Sequence, residues 1–215
     1  MISVEEQQTL FLNISRKLNE KMIVYAVGGT AMTFLGLKDA TLDVDIVLET
    51  ERDRGKFEDA IKSLGYQAID STVVYGAGEN HPRMFTLGDN RFDLFVGQVV
   101  SFIFSENMRA RAVHTYQYDN NLILKIADPH DIILMKCATD RLKDKDDVRK
   151  IIESREINWD IIIDEANNQI VLGRKKAIFE LGYFLEDLRE KMNVNKIPKS
   201  VVDRLFESFQ NNRNQ

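Results

Sequence analysis

Met22-Ile23-Val24-Tyr25-Ala26-Val27-Gly28-Gly29-Thr30 and, after a short helical segment, Leu42-Asp43-Val44-Asp45-Ile46-Val47-Leu48-Glu49 are the stretches on which the fold turns. The first is a compact apolar run with β-branched and aromatic members that ends at a glycine pair. That is the pattern of a buried strand leaving a sheet through a tight turn. From Thr30 the pattern turns helical through Leu35. The second stretch alternates, with Val44, Ile46 and Leu48 projecting to one side and Asp43, Asp45 and Val47 to the other. The apolar set is expected to face the core, leaving a strand with carboxylates on its opposite side.

Outward from this pair the signals continue in the same style. Ser3 and Glu6 form a capping-box pattern ahead of an apolar face made by Leu10, Phe11, Ile14 and Leu18, which predicts a first helix packed on the sheet. Thr50 is placed to cap a second helix, whose inward face is Phe57, Ala60, Ile61 and Leu64 and whose C′ residue is Gly65. Tyr66 to Tyr75 reads as extended and residues 76–82 as a loop of turn formers. Met84–Leu87 and Arg91–Val96, joined by Gly88-Asp89-Asn90, read as a β-hairpin. In its second strand Asp93 points away from Phe92, Leu94 and Val96, repeating the placement of a carboxylate on an otherwise buried strand.

Ser105–Ala112 reads as a short helix, and Val113–Tyr118 with Leu122–Ala127 as another hairpin. Asp128 as cap, Pro129 as first helical residue and Asp131 in the first turn predict a helix through Leu142. Beyond it the chain reads as helical. Ile178, Leu181, Leu185, Leu188 and Met192 form one stripe and Val201, Val202, Leu205, Phe206 and Phe209 another, each expected to pack on its neighbours. The expected class is α+β: a mixed sheet with helices on its back in residues 1–127, and a C-terminal helical region, residues 128–215, packed on that core.

Composition excludes several classes. A chain of 215 residues with 44% hydrophobic side chains can bury a real core. No apolar run approaches the roughly 20 residues of a membrane span, and the acidic start is unlike a basic-then-apolar signal. The single cysteine, Cys137, forms no intrachain disulfide and no cysteine-based zinc site, so a cytoplasmic location is expected. A net charge of -5 argues against wholesale coating of nucleic acid, whose non-specific affinity comes from Lys and Arg on phosphates. No serine or cysteine nucleophile with a paired base is visible.

The chemistry lies in carboxylates and glycines. Residues two apart on a strand project from one face about 7 Å apart, so Asp43 and Asp45 can share hard cations, and Asp93 on a neighbouring strand is the natural third ligand. Such an acidic set is what holds two metals about 3.5–4 Å apart in phosphoryl transfer, with Mg²⁺ the default ion and Mn²⁺ its substitute. Gly28 and Gly29 let backbone N–H groups approach a triphosphate at the start of a helix, and Thr30 adds a hydroxyl.

Together these residues resemble the DNA polymerase β-like nucleotidyltransferase superfamily. Its signature is an apolar residue with Gly-Gly or Gly-Ser, then Asp-x-Asp between apolar residues, then a third acid. It is matched in order by Val27-Gly28-Gly29-Thr30, Leu42-Asp43-Val44-Asp45-Ile46 and Phe92-Asp93-Leu94-Phe95-Val96. The gap between glycines and aspartates is at the long end of the family's range. The helical run from Ile133 to Val148, with Lys136, Arg141, Lys143, Asp144 and Asp147, is similar to the minimal branch that includes AbiEii-type toxin nucleotidyltransferases. The resemblance covers roughly residues 20–153.

It implies an enzyme that moves NMP from an NTP, ATP among the donors, to an acceptor hydroxyl on RNA, protein or a small molecule. Asp43, Asp45 and Asp93 would be catalytic and metal-binding, with Gly28, Gly29, Thr30 and Lys136 on the nucleotide. A toxin–antitoxin role, with tRNA or a protein as acceptor and an antitoxin as partner, is implied by the branch. The alternative is a catalytically inactive member that binds nucleotide or docks a partner. Lys136, a lone charge in an apolar run, either contacts phosphates or pairs with Asp140 one turn on. Arg141, Lys143, Asp144 and Asp147 read as an ion-pair network bracing that helix. Asp89 sits in a turn where Asp has a local role; His81 and Arg83 read as solvated or acceptor-facing, and Trp159 as a core anchor.

Overall fold

Ser3 and Glu6 cap each other's backbone as their spacing requires: Ser3 N–H donates to Glu6 Oε2 at 2.7 Å and Glu6 N–H to Ser3 Oγ at 3.3 Å. This opens helix α1 (Val4–Ser15) after a two-residue strand, β1 (Ile2–Ser3). The computed structural model describes residues 1–72, 81–139 and 141–211. The chain divides into two compact units, Met1–Val100 with Met108–Asp128 and Ser101–Asn107 with Pro129–Gln215.

In the first unit follow β2 (Met22–Ala26), α2 (Gly28–Phe34), β3 (Ala40–Thr41), β4 (Val44–Leu48), α3 (Glu51–Ser63), β5 (Gln67–Ile69), β6 (Arg83–Leu87), β7 (Asn90–Val96) and β8 (Gln98–Val99). The two-residue β9 (Phe102–Ile103) belongs to the second unit, and the division falls within α4 (Glu106–Arg111). The first unit then closes with β10 (Thr115–Tyr118) and β11 (Leu122–Ile126).

Seven strands form one mixed sheet in the order β10-β11-β2-β4-β7-β6-β5. The pairs β11/β2 and β4/β7 are parallel, and the others are antiparallel. Register assigns the faces, because paired residues project the same way. Ala26 opposite Ile46, Val44 opposite Phe92 and Ile46 opposite Leu94 make one side apolar. That side is the core: Phe57 of α3 meets Phe92 edge-on at 5.9 Å, and Phe11 of α1 meets Tyr118 at 5.6 Å. Phe57 and Ile61 are fully buried, each worth about 1.5–3 kcal/mol.

Four local expectations shift. The helix after β2 begins at Gly28 itself, so the glycines form its first turn. Val47, expected on the carboxylate side, is also buried, at 1% exposure, so that side is covered where it stands. Asp43 precedes β4 rather than lying in it. Of the described part of the extended stretch, residues 66–72, only Gln67–Ile69 is strand; residues 73–80, with most of the glycine loop, lie outside the described residues. Thr50 caps α3 as expected, accepting from Asp53 N–H at 3.1 Å.

The second unit is helical: α5 (Pro129–Lys136), α6 (Leu142–Ser154), α7 (Trp159–Val171), α8 (Lys175–Glu190) and α9 (Lys199–Asn211). The segment 101–107 joins it through Gln169, which donates to Ile103 O at 2.8 Å and accepts from Ile103 N–H at 3.0 Å. Ser105 adds a hydroxyl bond to Glu165 Oε1 at 2.8 Å. The stripes Ile178, Leu181, Leu185, Leu188 and Val201, Val202, Leu205 are buried, and Phe179 stacks on Phe209 at 4.6 Å, so α8 and α9 pack together. The single helix expected from Pro129 to Leu142 is broken after Lys136. The break lets acids at the start of α6 reach back to that lysine, and Trp159 is only half-buried at the head of α7.

Candidate active site

The parallel register of β4 and β7 puts Asp45 directly opposite Asp93, both on the face away from the aromatic core. Asp43, two residues before Asp45, joins them. One carboxylate oxygen from each of the three lies within 4.8 Å of the others. Asp93 is 0% exposed and Asp43 8%, while Asp45 is half-buried. At an effective dielectric near 20, unit charges at that spacing repel by about 3–4 kcal/mol per pair, so the set needs a cation.

Arg91 supplies one in this structure. It lies two residues before Asp93 on β7 and therefore on the same face. Its Nε donates to Asp93 Oδ1 at 2.8 Å and its Nη2 to Asp93 Oδ2 at 3.1 Å, a two-pronged grip, and Nη2 also pairs with Asp43 Oδ2. An all-oxygen donor set that already gathers one cation suits a hard divalent ion such as Mg²⁺ or Mn²⁺.

The glycine pair is required here for a reason other than the expected one. Gly28 has φ +53°, and a Cβ on it would lie 2.5 Å from Asp45 Oδ2; a Cβ on Gly29 would collide with Thr41 Oγ1. Gly29 N–H donates to Asp45 Oδ2 at 3.2 Å. The close backbone approach thus holds a carboxylate of the triad. Thr30 is fully buried, and its Oγ1 accepts from Asp45 N–H at 2.8 Å and donates to Asp43 O at 3.4 Å. The hydroxyl braces the backbone that carries both aspartates. Thr41 Oγ1 donates to Asp43 Oδ1 at 3.5 Å.

Also on this face, Tyr25 donates its hydroxyl to Glu49 Oε1 at 2.8 Å. Burial, then the Glu49 hydrogen bond and charge, push the phenol up to about 12 against a smaller downward pull from Arg109. It stays protonated at neutral pH.

Lys136 belongs to the second unit. Its Nζ is held by Asp144 Oδ1 at 2.8 Å and Asp147 Oδ2 at 2.7 Å, with the lysine itself 9% exposed. Burial pulls its pKa down, but the two carboxylates outweigh that and leave it raised. Arg141 Nε reaches Asp144 Oδ2 at 2.7 Å, and Thr139 Oγ1 bonds the same oxygen. Arg141, Asp144 and Asp147, three of the four residues read from the sequence as a bracing network, thus join around Lys136, whereas the fourth, Lys143, is exposed; Asp140 lies outside the described residues. Arg83 meets Glu58 at 3.5 Å, and His130 accepts from Asn158 N–H at 2.9 Å.

Sequence reasoning brought Asp43, Asp45, Asp93, Gly28, Gly29 and Thr30 to one place but overlooked Arg91 and Thr41. The signal for Arg91 was available: the two-residue period that put Asp93 on the open face puts Arg91 there too.

No family model matches the sequence, and no curated protein matches it. Among solved structures, the chain is similar to ANT(2")-Ia in complex with adenylyl-2"-tobramycin, at 17% identity over 83% of this chain and 96% of that one, with a TM-score of 0.46. It is also similar to a putative nucleotidyltransferase from H. pylori, at 16% identity over 95% and 91% of the two chains, with a TM-score of 0.41. Likeness at this level leaves the chemistry to be read from the residues themselves.

Proposed function

We propose that the chain is a metal-dependent nucleotidyltransferase. The observation that supports this most is the convergence of Asp43, Asp45 and Asp93, each with an oxygen within 4.8 Å of the others, beside a glycine turn that tolerates no side chain. Asp43 and Asp45 would hold divalent ions together, and Asp93 would ligate one of them. Bound ions would neutralise the triphosphate and favour the ionised form of an attacking hydroxyl. The acceptor oxygen forms a bond to the α-phosphorus, the bond to the β-phosphate bridging oxygen breaks, and pyrophosphate leaves. Asp93 would help activate the attacking hydroxyl, whose proton passes to solvent. Gly28 and Gly29 line the nucleotide side, while Thr30 keeps Asp43 and Asp45 in register. Catalysis of this kind is positioning and charge neutralisation.

The finer assignment, a toxin with an antitoxin partner that modifies tRNA or a protein, rests on the sequence resemblance alone. A second reading, a nucleotide-binding or docking protein without activity, is favoured by one observation: Arg91 already satisfies Asp43 and Asp93. Among the described residues no helix is long and apolar enough to cross a membrane.

Incubation with each α-labelled NTP, Mg²⁺ or Mn²⁺, and a mixture of total RNA and cell protein separates the readings. Label is expected on one acceptor class with wild type and on none with Asp45→Ala. Equal labelling by both proteins, or none by either, would contradict the enzyme reading.

A further inference from the structure

We infer that Arg91 is an internal competitor of the divalent ion: its guanidinium bridges Asp43 and Asp93 and must release Asp43 for the ion to be fully bound. This rests on the metal site proposed above and concerns how that site is filled. Three carboxylates and one guanidinium leave a local charge of two negatives. Both oxygens of Asp93 and Oδ2 of Asp43 accept from Arg91, so an ion between the acids would compete with the guanidinium for these carboxylates.

The two halves of the grip are unequal. Asp93 is held by two parallel bonds from a residue on its own strand, so that pair is fixed by the pleat of β7. Asp43 is reached across the sheet by a single nitrogen that Asp93 already shares. The Asp43 bridge is therefore the one to open, and the Arg91 side chain, 23% exposed, has a route to solvent when it does. Asp45 Oδ2 is meanwhile held by Gly29 N–H, so the ion meets one ligand braced by backbone, one that keeps its arginine, Asp93, and one that the arginine must vacate, Asp43. Arg91 thus trades ion affinity for an assembled site, and it is a positioning residue.

Removing the charge should tighten the ion while weakening the protein that lacks it. Mn²⁺ binding, read from the free-ion paramagnetic resonance signal at pH 7, is compared for wild type, Arg91→Met and Arg91→Gln, with melting temperature recorded in EDTA and in saturating Mn²⁺. Both variants are expected to bind Mn²⁺ at least tenfold more tightly than wild type. Both should melt lower than wild type in EDTA, with the gap closing in Mn²⁺. Arg91→Gln keeps an amide donor for Asp93, so it tests the charge even if the methionine variant fails to fold. Affinity equal to or weaker than wild type would overturn the inference, since a merely structural arginine lowers the melting temperature without tightening the ion. If wild type and both variants bind no more Mn²⁺ than Asp43→Asn/Asp45→Asn, the metal site itself fails, a different result from unchanged affinity at a real site.

Discussion

Gly28→Ala should cost far more than the loss of a flexible residue, because two separate penalties meet at that atom. Gly28 has φ +53°, where an L side chain costs about 1–2 kcal/mol. The new methyl would also lie 2.5 Å from Asp45 Oδ2 and 3.2 Å from Cγ, so the carboxylate must move. Such overpacking costs about 1–3 kcal/mol. The 3.2 Å bond from Gly29 N–H to that carboxylate goes with it, and a hydrogen bond to a charged group is worth about 1.5–3 kcal/mol. Allowing for overlap between the last two, the total is about 3–5 kcal/mol. Gly36 provides the control: its φ is +68° and nothing lies within 4 Å of an added Cβ, so Gly36→Ala should cost only the strain, about 1–2 kcal/mol. Urea unfolding of the full chain, followed by circular dichroism, measures both. In Gly28→Ala/Asp45→Ala the colliding atoms are gone, leaving Asp45 Cβ at 3.6 Å, an ordinary contact. The double variant should therefore show a favourable coupling of at least about 1 kcal/mol. Equal costs at Gly28 and Gly36, or no coupling to Asp45, would refute the tie between the glycine turn and the triad.

Thr30→Val should cost about 1–3 kcal/mol by taking the hydroxyl acceptor from the half-buried Asp45 N–H, and should weaken Mn²⁺ binding, whereas Thr30→Ser keeps both. Lys136→Met should cost about 3–5 kcal/mol in the same unfolding assay, since it strands Asp144 and Asp147 below the surface. For Asp144, burial raises the pKa, but Lys136, Thr139 and Arg141 together bring it below its ordinary value. Its stabilisation is thus complete above the unfolded pKa of about 3.9 and is lost as pH falls through the lower folded one, and Asp144→Asn should flatten that acid limb. Absorbance titration should find the Tyr25 phenol near 12, and Glu49→Gln should bring it down. The stabilisation linked to that phenol is complete below the unfolded value of about 10 and is lost as pH rises through 12.

The parts legible in the sequence are those with a short-range physical code. Alternation along residues 43–48 and 91–96 gave both strands and the side on which Asp45 and Asp93 stand, and the caps at Ser3 and Thr50 gave the starts of α1 and α3. The parallel register that sets Asp45 against Asp93 is a long-range fact with no local signal. So is the partner of Lys136: helical periodicity points to the next turn, but the chain breaks after Lys136 and brings Asp144 and Asp147 instead. The glycine pair was legible as a position needing close approach, not as to what approaches. Its neighbour proved to be Asp45, and Thr30, expected to face a ligand, is buried against the strand. Arg91 shares its parity with Asp93, which places it on the acids, but parity alone does not say that one guanidinium bridges two carboxylates.

The central claim, that Asp43, Asp45 and Asp93 direct a nucleotide's α-phosphorus to an acceptor, is tested most directly by the fate of two labels on one NTP. With wild type, Mg²⁺ and the acceptor fraction, an α-phosphate label is predicted to become acid-precipitable or protein-bound while a γ-phosphate label is released as pyrophosphate. Asp45→Asn should do neither. Transfer of the γ label to the acceptor, or turnover by Asp45→Asn equal to wild type, would contradict the account.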